Sequence, residues 1–237
     1  MQLSTLNKRR LKNFIKNKRG FYSFWIFTIL FVISLFANFI ANEKPLLVKY
    51  ESNLYFPIFK SYPETIYGGD FETEADYRDP YVKDLIQSKG WMIMPIIPYS
   101  YNTIIRDINA PVPSPPSIKN WLGTDDQARD VLSRLIYGFR ISVLFGFTLT
   151  FFSMIIGVSA GALQGYFGGK TDLFFQRFME IWSAIPTLYV LIILASVIQP
   201  NFWWLLIILL LFSWMGYVGV VRAEFLRARN FDYIRAA

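Results

Sequence analysis

Ile141-Ser-Val-Leu-Phe-Gly-Phe-Thr-Leu-Thr-Phe-Phe-Ser-Met-Ile-Ile-Gly-Val-Ser-Ala-Gly-Ala-Leu-Gln-Gly-Tyr-Phe167 decides the architecture. The run contains no Asp, Glu, Lys or Arg, and it exceeds the roughly 20 apolar residues that carry a helix across a bilayer. Ser153, Gly157, Gly161, Gly165 and Gly169 recur within and just after it at strict four-residue spacing. Four apart is one helical face. Small residues there let another backbone approach, so the pattern predicts an extended helix-packing stripe. Such a side-chain-poor contact also suits helices that slide during a conformational cycle.

Three more apolar runs surround this one. Phe21–Ala41 has no charge and, as a helix, would cover about 31 Å, against a hydrocarbon core of roughly 30 Å. It is too long and too aromatic for the short apolar core of a signal peptide. Phe178–Ile198 has a single charge, Glu180, close to its start, and Phe202–Val221 has none. Pro186 should kink the third span, because it removes a backbone donor and crowds the preceding turn. Glu180 lies near the end of its span beside Arg177, which suits an interfacial residue better than a proton relay.

Basic residues set the orientation. Lys8, Arg9, Arg10, Lys12, Lys16, Lys18 and Arg19 precede the first span. Lys170 and Arg177 follow the second, and Arg222, Arg227, Arg229 and Arg235 follow the fourth. The connection between the third and fourth has no Lys or Arg. All basic segments share one side if the N-terminus is cytoplasmic. The formal net charge of +7 is then a topology signal, and no nucleic-acid partner is expected. A hydrophobic content of 54%, against roughly 45–50% for soluble domains, agrees with a membrane protein.

Several chemistries are excluded. With no Cys and no His, the chain has no disulfide, no thiolate or imidazole metal site, no Cys nucleophile and no Ser-His-Asp triad. Gln164-Gly-Tyr-Phe-Gly-Gly-Lys170-Thr171 looks like a phosphate-binding loop, but Gln164 stands where its first Gly must be, and the stretch leaves a membrane helix instead of a strand. No cofactor, metal or catalytic residue is expected.

Residues 42–138 carry 13 of the 17 acids and ten of the 12 prolines. Their weak periodicity reads as an irregular extracytoplasmic cap held by aromatic packing. Pro111-Val-Pro-Ser-Pro-Pro116 reads as a stiff linker back to the membrane. Thr124-Asp-Asp-Gln127 has the form of a capping box. From it, Ala128, Val131, Leu132, Leu135, Ile136 and Phe139 recur at helical spacing, with Arg129, Asp130, Ser133 and Arg134 on the other face. That predicts an amphipathic interfacial helix turning into the second span. Residues 222–237 are short, basic and amphipathic, a helix suited to a cytoplasmic partner.

Two stretches carry a family likeness. Leu122-Gly-Thr-Asp-Asp-Gln-Ala-Arg-Asp-Val-Leu-Ser-Arg134, with Tyr137-Gly-Phe-Arg-Ile-Ser142, resembles a segment of one permease subunit of dipeptide and oligopeptide ABC importers. Asp232-Tyr-Ile-Arg-Ala-Ala237 resembles the opening of that family's cytoplasmic coupling motif, the EAA loop, and Tyr166-Phe-Gly-Gly169 and Ser213-Trp-Met-Gly-Tyr217 lie between. The long outside segment and Asp126-Gln-Ala-Arg129 look most like the Yej-type permeases of microcin C and related peptide uptake. Ala128 stands where many relatives have Gly, which should stiffen the helix. Arg235 stands where the eponymous Glu usually sits.

The resemblance implies an all-α polytopic bundle in a bacterial cytoplasmic membrane. Its parts are a basic N-terminus (1–20), a first span (21–41), the outside segment (42–138), a three-span core (139–221) and a coupling helix (222–237). It implies a subunit without chemistry of its own, partnered by a second permease subunit, ABC ATPase subunits, an extracytoplasmic binding protein, a peptide substrate and the lipid bilayer. ATPase contact would fall to Glu224, Phe231, Asp232, Tyr233, Arg235, Ala236 and Ala237. The family's motif and two further helices continue beyond the position of Ala237, so four spans are expected to be part of a six-helix subunit. A transmembrane sensor with an outside ligand segment is the alternative, and a membrane-embedded enzyme would need clustered polar groups at membrane depth.

Overall fold

The computed structural model describes residues 4–106, 108, 111–199 and 201–231. The chain divides into two compact units, Met1–Ile141 and Ser142–Ala237.

The first unit opens with helices α1 (Thr5–Lys16) and α2 (Lys18–Leu35). Asn17 separates them and caps α2 by accepting the Gly20 N–H at 3.3 Å. The expected first span therefore begins at Lys18, and it ends short of Ala41. The Phe36 N–H bonds the Ile33 carbonyl, after which α3 (Ala37–Ile40) adds one turn. Tertiary pairing ends the helix. The Ile97 N–H bonds the Ile40 carbonyl at 2.9 Å, and the Tyr137 hydroxyl donates to Ala41 O at 2.8 Å. Ala37, Ala41, Ile97, Tyr99, Ile105 and Tyr137 form a buried cluster around this end.

The segment that follows has more regular structure than its sequence suggests. Strands β1 (Leu47–Tyr50), β2 (Asn53–Tyr55) and β3 (Gly90–Ile93) form an antiparallel sheet in the order β2-β1-β3. Val48 pairs with Tyr55 on one side and Met92 on the other. Strands of three or four residues are too short to show a two-residue period in sequence. Helix α4 (Pro80–Lys89), capped by Asp79, covers the sheet with Val82 and Ile86.

The core is aromatic. Tyr50, Tyr55 and Tyr77 pack edge-on to Tyr67 with ring centroids 5.5–5.8 Å apart, the arrangement the ring quadrupole favours. Tyr67 and Tyr77 pair their hydroxyls at 3.2 Å. Burial pushes both phenols above their usual range.

Helix α5 (Val131–Phe167) has 37 residues, about 55 Å at 1.5 Å per residue. It begins in the first unit and supplies the first helix of the second. Gly168, at φ 62°, reverses the chain immediately into α6 (Gly169–Ser183). The stretch read as a connection, Gly168–Arg177, is thus mostly helix. After Ala184–Pro186 comes α7 (Thr187–Val197), and α6 and α7 meet at 62°. Helices α8 (Phe202–Ser213) and α9 (Met215–Ala228) run on as one apolar stretch of 27 residues, interrupted at Trp214. Among the described residues, three helices are long and apolar enough to cross a membrane, or up to four if the bent pair counts as one span. The expected coupling helix does not begin anew at Arg222, because α9 continues through it to Ala228.

Candidate functional site

The packing stripe meets α9 in register. A Cβ placed on Gly157 would lie 2.8 Å from Tyr217 Cβ, and one on Gly161 would lie 2.8 Å from Val218 O and 2.9 Å from Val221 Cβ. One on Gly165 would lie 2.7 Å from Arg222 O and would also strike Phe225 Cβ. Each step of four on α5 advances four on α9, so the two helices run parallel. Ser153 ends the row, its hydroxyl 2.5 Å from that of Ser213. Gly169 departs from the expectation. It lies past the reversal, at φ 52°, with nothing within 4 Å of its would-be Cβ. A helical face ends with its helix, so the four-residue spacing loses meaning beyond Gly168. Gly168 instead takes the close contact, with the Arg229 guanidinium.

Polar side chains close the contact of α6 with α8 and α9. Arg222 donates from Nε and Nη2 to the two Asp172 carboxylate oxygens at 2.5 and 2.6 Å. Both side chains are mostly buried, at 28% and 13% exposure. Bidentate pairing of this kind fixes orientation as well as charge. Trp182, one turn before the α6–α7 break, donates its indole N–H to Leu211 O at 3.0 Å, and Trp214 donates to the same oxygen at 3.0 Å. Pro186 stands at the N-cap of α7, φ −69° and ψ 106°. Glu180 pairs with Arg177 at 2.6 Å, and both remain largely exposed. Gln164 is fully buried on α5.

Asp172, Trp182 and Arg222 were not singled out as a set by the sequence. In the sequence Asp172 sits in a stretch whose basic residues carry the signal, and Arg222 reads as an inside charge at the start of the coupling helix. Their meeting depends on the reversal at Gly168, which brings the first turn of α6 back onto α9.

The entry to α5 corrects the capping box. Thr124 does not cap the helix, and its hydroxyl bonds Ser114 N–H and Oγ at 2.9 and 2.8 Å. The cap is Asp130, whose Oδ1 accepts the Ser133 N–H at 2.7 Å while Oδ2 accepts Asn120 Nδ2 at 2.8 Å. Asp130 and Ser133, expected on the polar face, are buried. Ala128 is not helical: its φ is +58°, a conformation that favours Gly. The helical spacing that began at Ala128 thus starts in fact at Val131.

Asp125 organises the turn between. Its Oδ1 accepts the Gln127 and Arg129 N–H groups, each at 2.9 Å, and Oδ2 takes Arg129 Nε at 2.8 Å and Arg134 Nη1. Burial opposes ionisation, but these donors outweigh it and hold the carboxyl well below its ordinary range. Nearby, a cleft of about 1070 Å³ is lined by Glu43, Arg78, Lys83, Tyr99, Arg106 and Trp121 among others. Its Glu43 accepts the Thr103 hydroxyl at 2.7 Å, and Arg78 lies over the Tyr99 ring at 5.2 Å.

At the far end of α9, Glu224 is exposed and 3.8 Å from Arg227. Glu224, Phe225, Arg227, Ala228 and Phe231 line a shallow depression. Asp232, Tyr233, Arg235, Ala236 and Ala237 lie outside the described residues.

Residues 153–237, which include the stripe, the Asp172–Arg222 pair and α9, match the family described as binding-protein-dependent transport system inner membrane component. The whole chain is 56% identical over 236 residues to the inner membrane ABC transporter permease protein YejE of Escherichia coli strain K12, covering 69% of that protein. The chain belongs to the ABC transporter permease family. The permease is also 52% identical over 258 residues to the peptidoglycan transport system permease protein YejE of Agrobacterium fabrum, covering 99% of this chain and 68% of that one. The dipeptide transport system permease protein DppC of Haemophilus influenzae matches more distantly, at 39% over 116 residues, 49% of this chain and 39% of its own. The permease is accordingly a multi-pass inner-membrane protein, a subunit type that works with ATPase and binding-protein partners.

Proposed function

We propose that the permease forms part of the pathway for short peptides, including peptide-bearing cell-wall fragments, delivered by an extracytoplasmic binding protein. The observation that carries this is the identity, along the length of this chain, with two permeases of one type. The Agrobacterium and Haemophilus relatives are permeases of a peptidoglycan and a dipeptide transport system, two substrates that share a peptide chemistry.

In this reading the N-terminus is cytoplasmic, which puts Gly168 and the end of α9 on the cytoplasmic side and residues 42–130 outside. The ATPase contact comprises Glu224, Phe231, Asp232, Tyr233, Arg235, Ala236 and Ala237. Motion imposed there passes along α9 and into α8 through three features. The glycine row couples it to α5, the Arg222–Asp172 pair to α6, and the Trp182–Leu211 bond to the break at Pro186. The α6–α7 break and the glycine row supply movable surfaces without large side chains to repack. A second permease subunit completes the pathway.

Affinity purification of the full-length protein tests the reading. Recovery of an ATPase subunit and a second permease supports it, and their absence overturns it. Peptide and muropeptide uptake by cells lacking the gene then reads the substrate class, with loss of both expected.

A further inference from the structure

Helix α1 has two chemically different faces, and none of its residues is buried. At 3.6 residues per turn, Lys8, Arg9, Lys12 and Lys16 gather on one side, and Leu6, Phe14, Leu11 and Ile15 spread over the other. Leu6, Leu11 and Ile15 are each more than half exposed. Among its residues, TLNKRRLKNFIK, there is no acid. A topology signal requires only charges beside a span; it leaves the apolar face unexplained.

The break at Asn17 sets the direction of α1. The Phe14 ring lies 5.7 Å from the Phe24 ring. Ten residues of straight helix would separate their backbones by about 15 Å, so the chain folds at Asn17 and turns α1 off the axis of α2. Helix α2 is a candidate membrane span that begins at Lys18, directly after Asn17. The bilayer surface is therefore within reach of α1 without a linker.

We propose that α1 lies in the bilayer surface beside the start of α2, with Leu6, Leu11, Phe14 and Ile15 in the headgroup–acyl boundary and Lys8, Arg9, Lys12 and Lys16 on anionic lipid headgroups. Charge complementarity selects the occupant: a helix with five cations and no acid fits a negative surface. Arg10, within the apolar arc, has the stem length to reach the headgroups.

These residues contain no Cys, so single labels can be placed once any Cys elsewhere in the complex is replaced by Ser. In the full importer complex, Leu11→Cys and Lys12→Cys are spin-labelled and reconstituted in phosphatidylglycerol-containing or pure phosphatidylcholine vesicles. In anionic vesicles the label at 11 should be several-fold more accessible to oxygen than to an aqueous nickel chelate, with the reverse at 12. That contrast should fall several-fold in phosphatidylcholine at high salt. Adding Lys8→Gln and Lys16→Gln to the Leu11→Cys protein should produce the same fall in anionic vesicles. Equal aqueous accessibility at 11 and 12 in anionic vesicles overturns the proposal, as does insertion indifferent to lipid charge. Shielding of position 11 that requires the ATPase subunits assigns the face to protein and overturns it as well. None of these readouts depends on which substrate is carried.

Discussion

Arg222 holds both carboxylate oxygens of Asp172, fifty positions earlier in the chain, at 2.5 and 2.6 Å. The pair ties the first turn of α6 to α9 beside the reversal at Gly168. Replacing Asp172 with Asn or Arg222 with Ala leaves a mostly buried charge without its partner. The expected cost is about 1–3 kcal/mol, below that of a fully buried pair because the Arg222 side chain is not fully enclosed. Thermal unfolding in detergent reads this. The exchange Asp172→Arg with Arg222→Asp should recover part of the loss, and failure to recover any would show that the pair's geometry, not its charge, matters.

Glycines on the two helices should respond differently. Gly161→Ala forces a Cβ to within 2.8 Å of Val218 O, whereas Gly219 on α9 has nothing within 4 Å. Gly161→Ala should cost about 1–3 kcal/mol, and Gly161→Leu should block assembly or transport. Gly219→Ala should change stability by less than about 1 kcal/mol. Expression level and size-exclusion profile check both.

Ala128→Gly discriminates the two readings of the α5 entry. A helical Ala128 would lose about 1 kcal/mol on becoming Gly. At φ +58° the backbone strain is relieved, and the variant should be stabilised by roughly 1 kcal/mol. The sign of the melting-temperature change decides.

Acid should loosen the same region. The folded Asp125 carboxyl is depressed, so its contribution is fully present above an unfolded value of about 4 and is lost as pH falls through the folded value. Asp125→Asn should remove that contribution at neutral pH and flatten the acid limb of a stability profile. An unchanged acid limb would count against the donor cluster.

Much of this was legible in the chain. Long uncharged runs dictate spans because a bilayer has no water to satisfy open backbone groups, and a four-residue repeat of Gly dictates a close-packed face. These signals are local and need no partner. The entry to α5 was misread for the opposite reason. Thr124 and Gln127 have the spacing of a capping box, but Ser114 takes the Thr124 hydroxyl and Asn120 steadies Asp130. A cap is chosen by competition among donors that sequence spacing does not place.

The sequence by itself determined that the protein is a helical membrane protein of this family, which faces its helices can bury, and where chain direction must change near Pro186. Tertiary structure decided which residues meet: Gly157, Gly161 and Gly165 with the α9 backbone, Arg222 with Asp172, and Trp182 with Leu211. The difference is physical. Hydrophobic length and helical period are properties of neighbouring residues, whereas the partner of a charge or an indole depends on where one reversal, at Gly168, sends the chain.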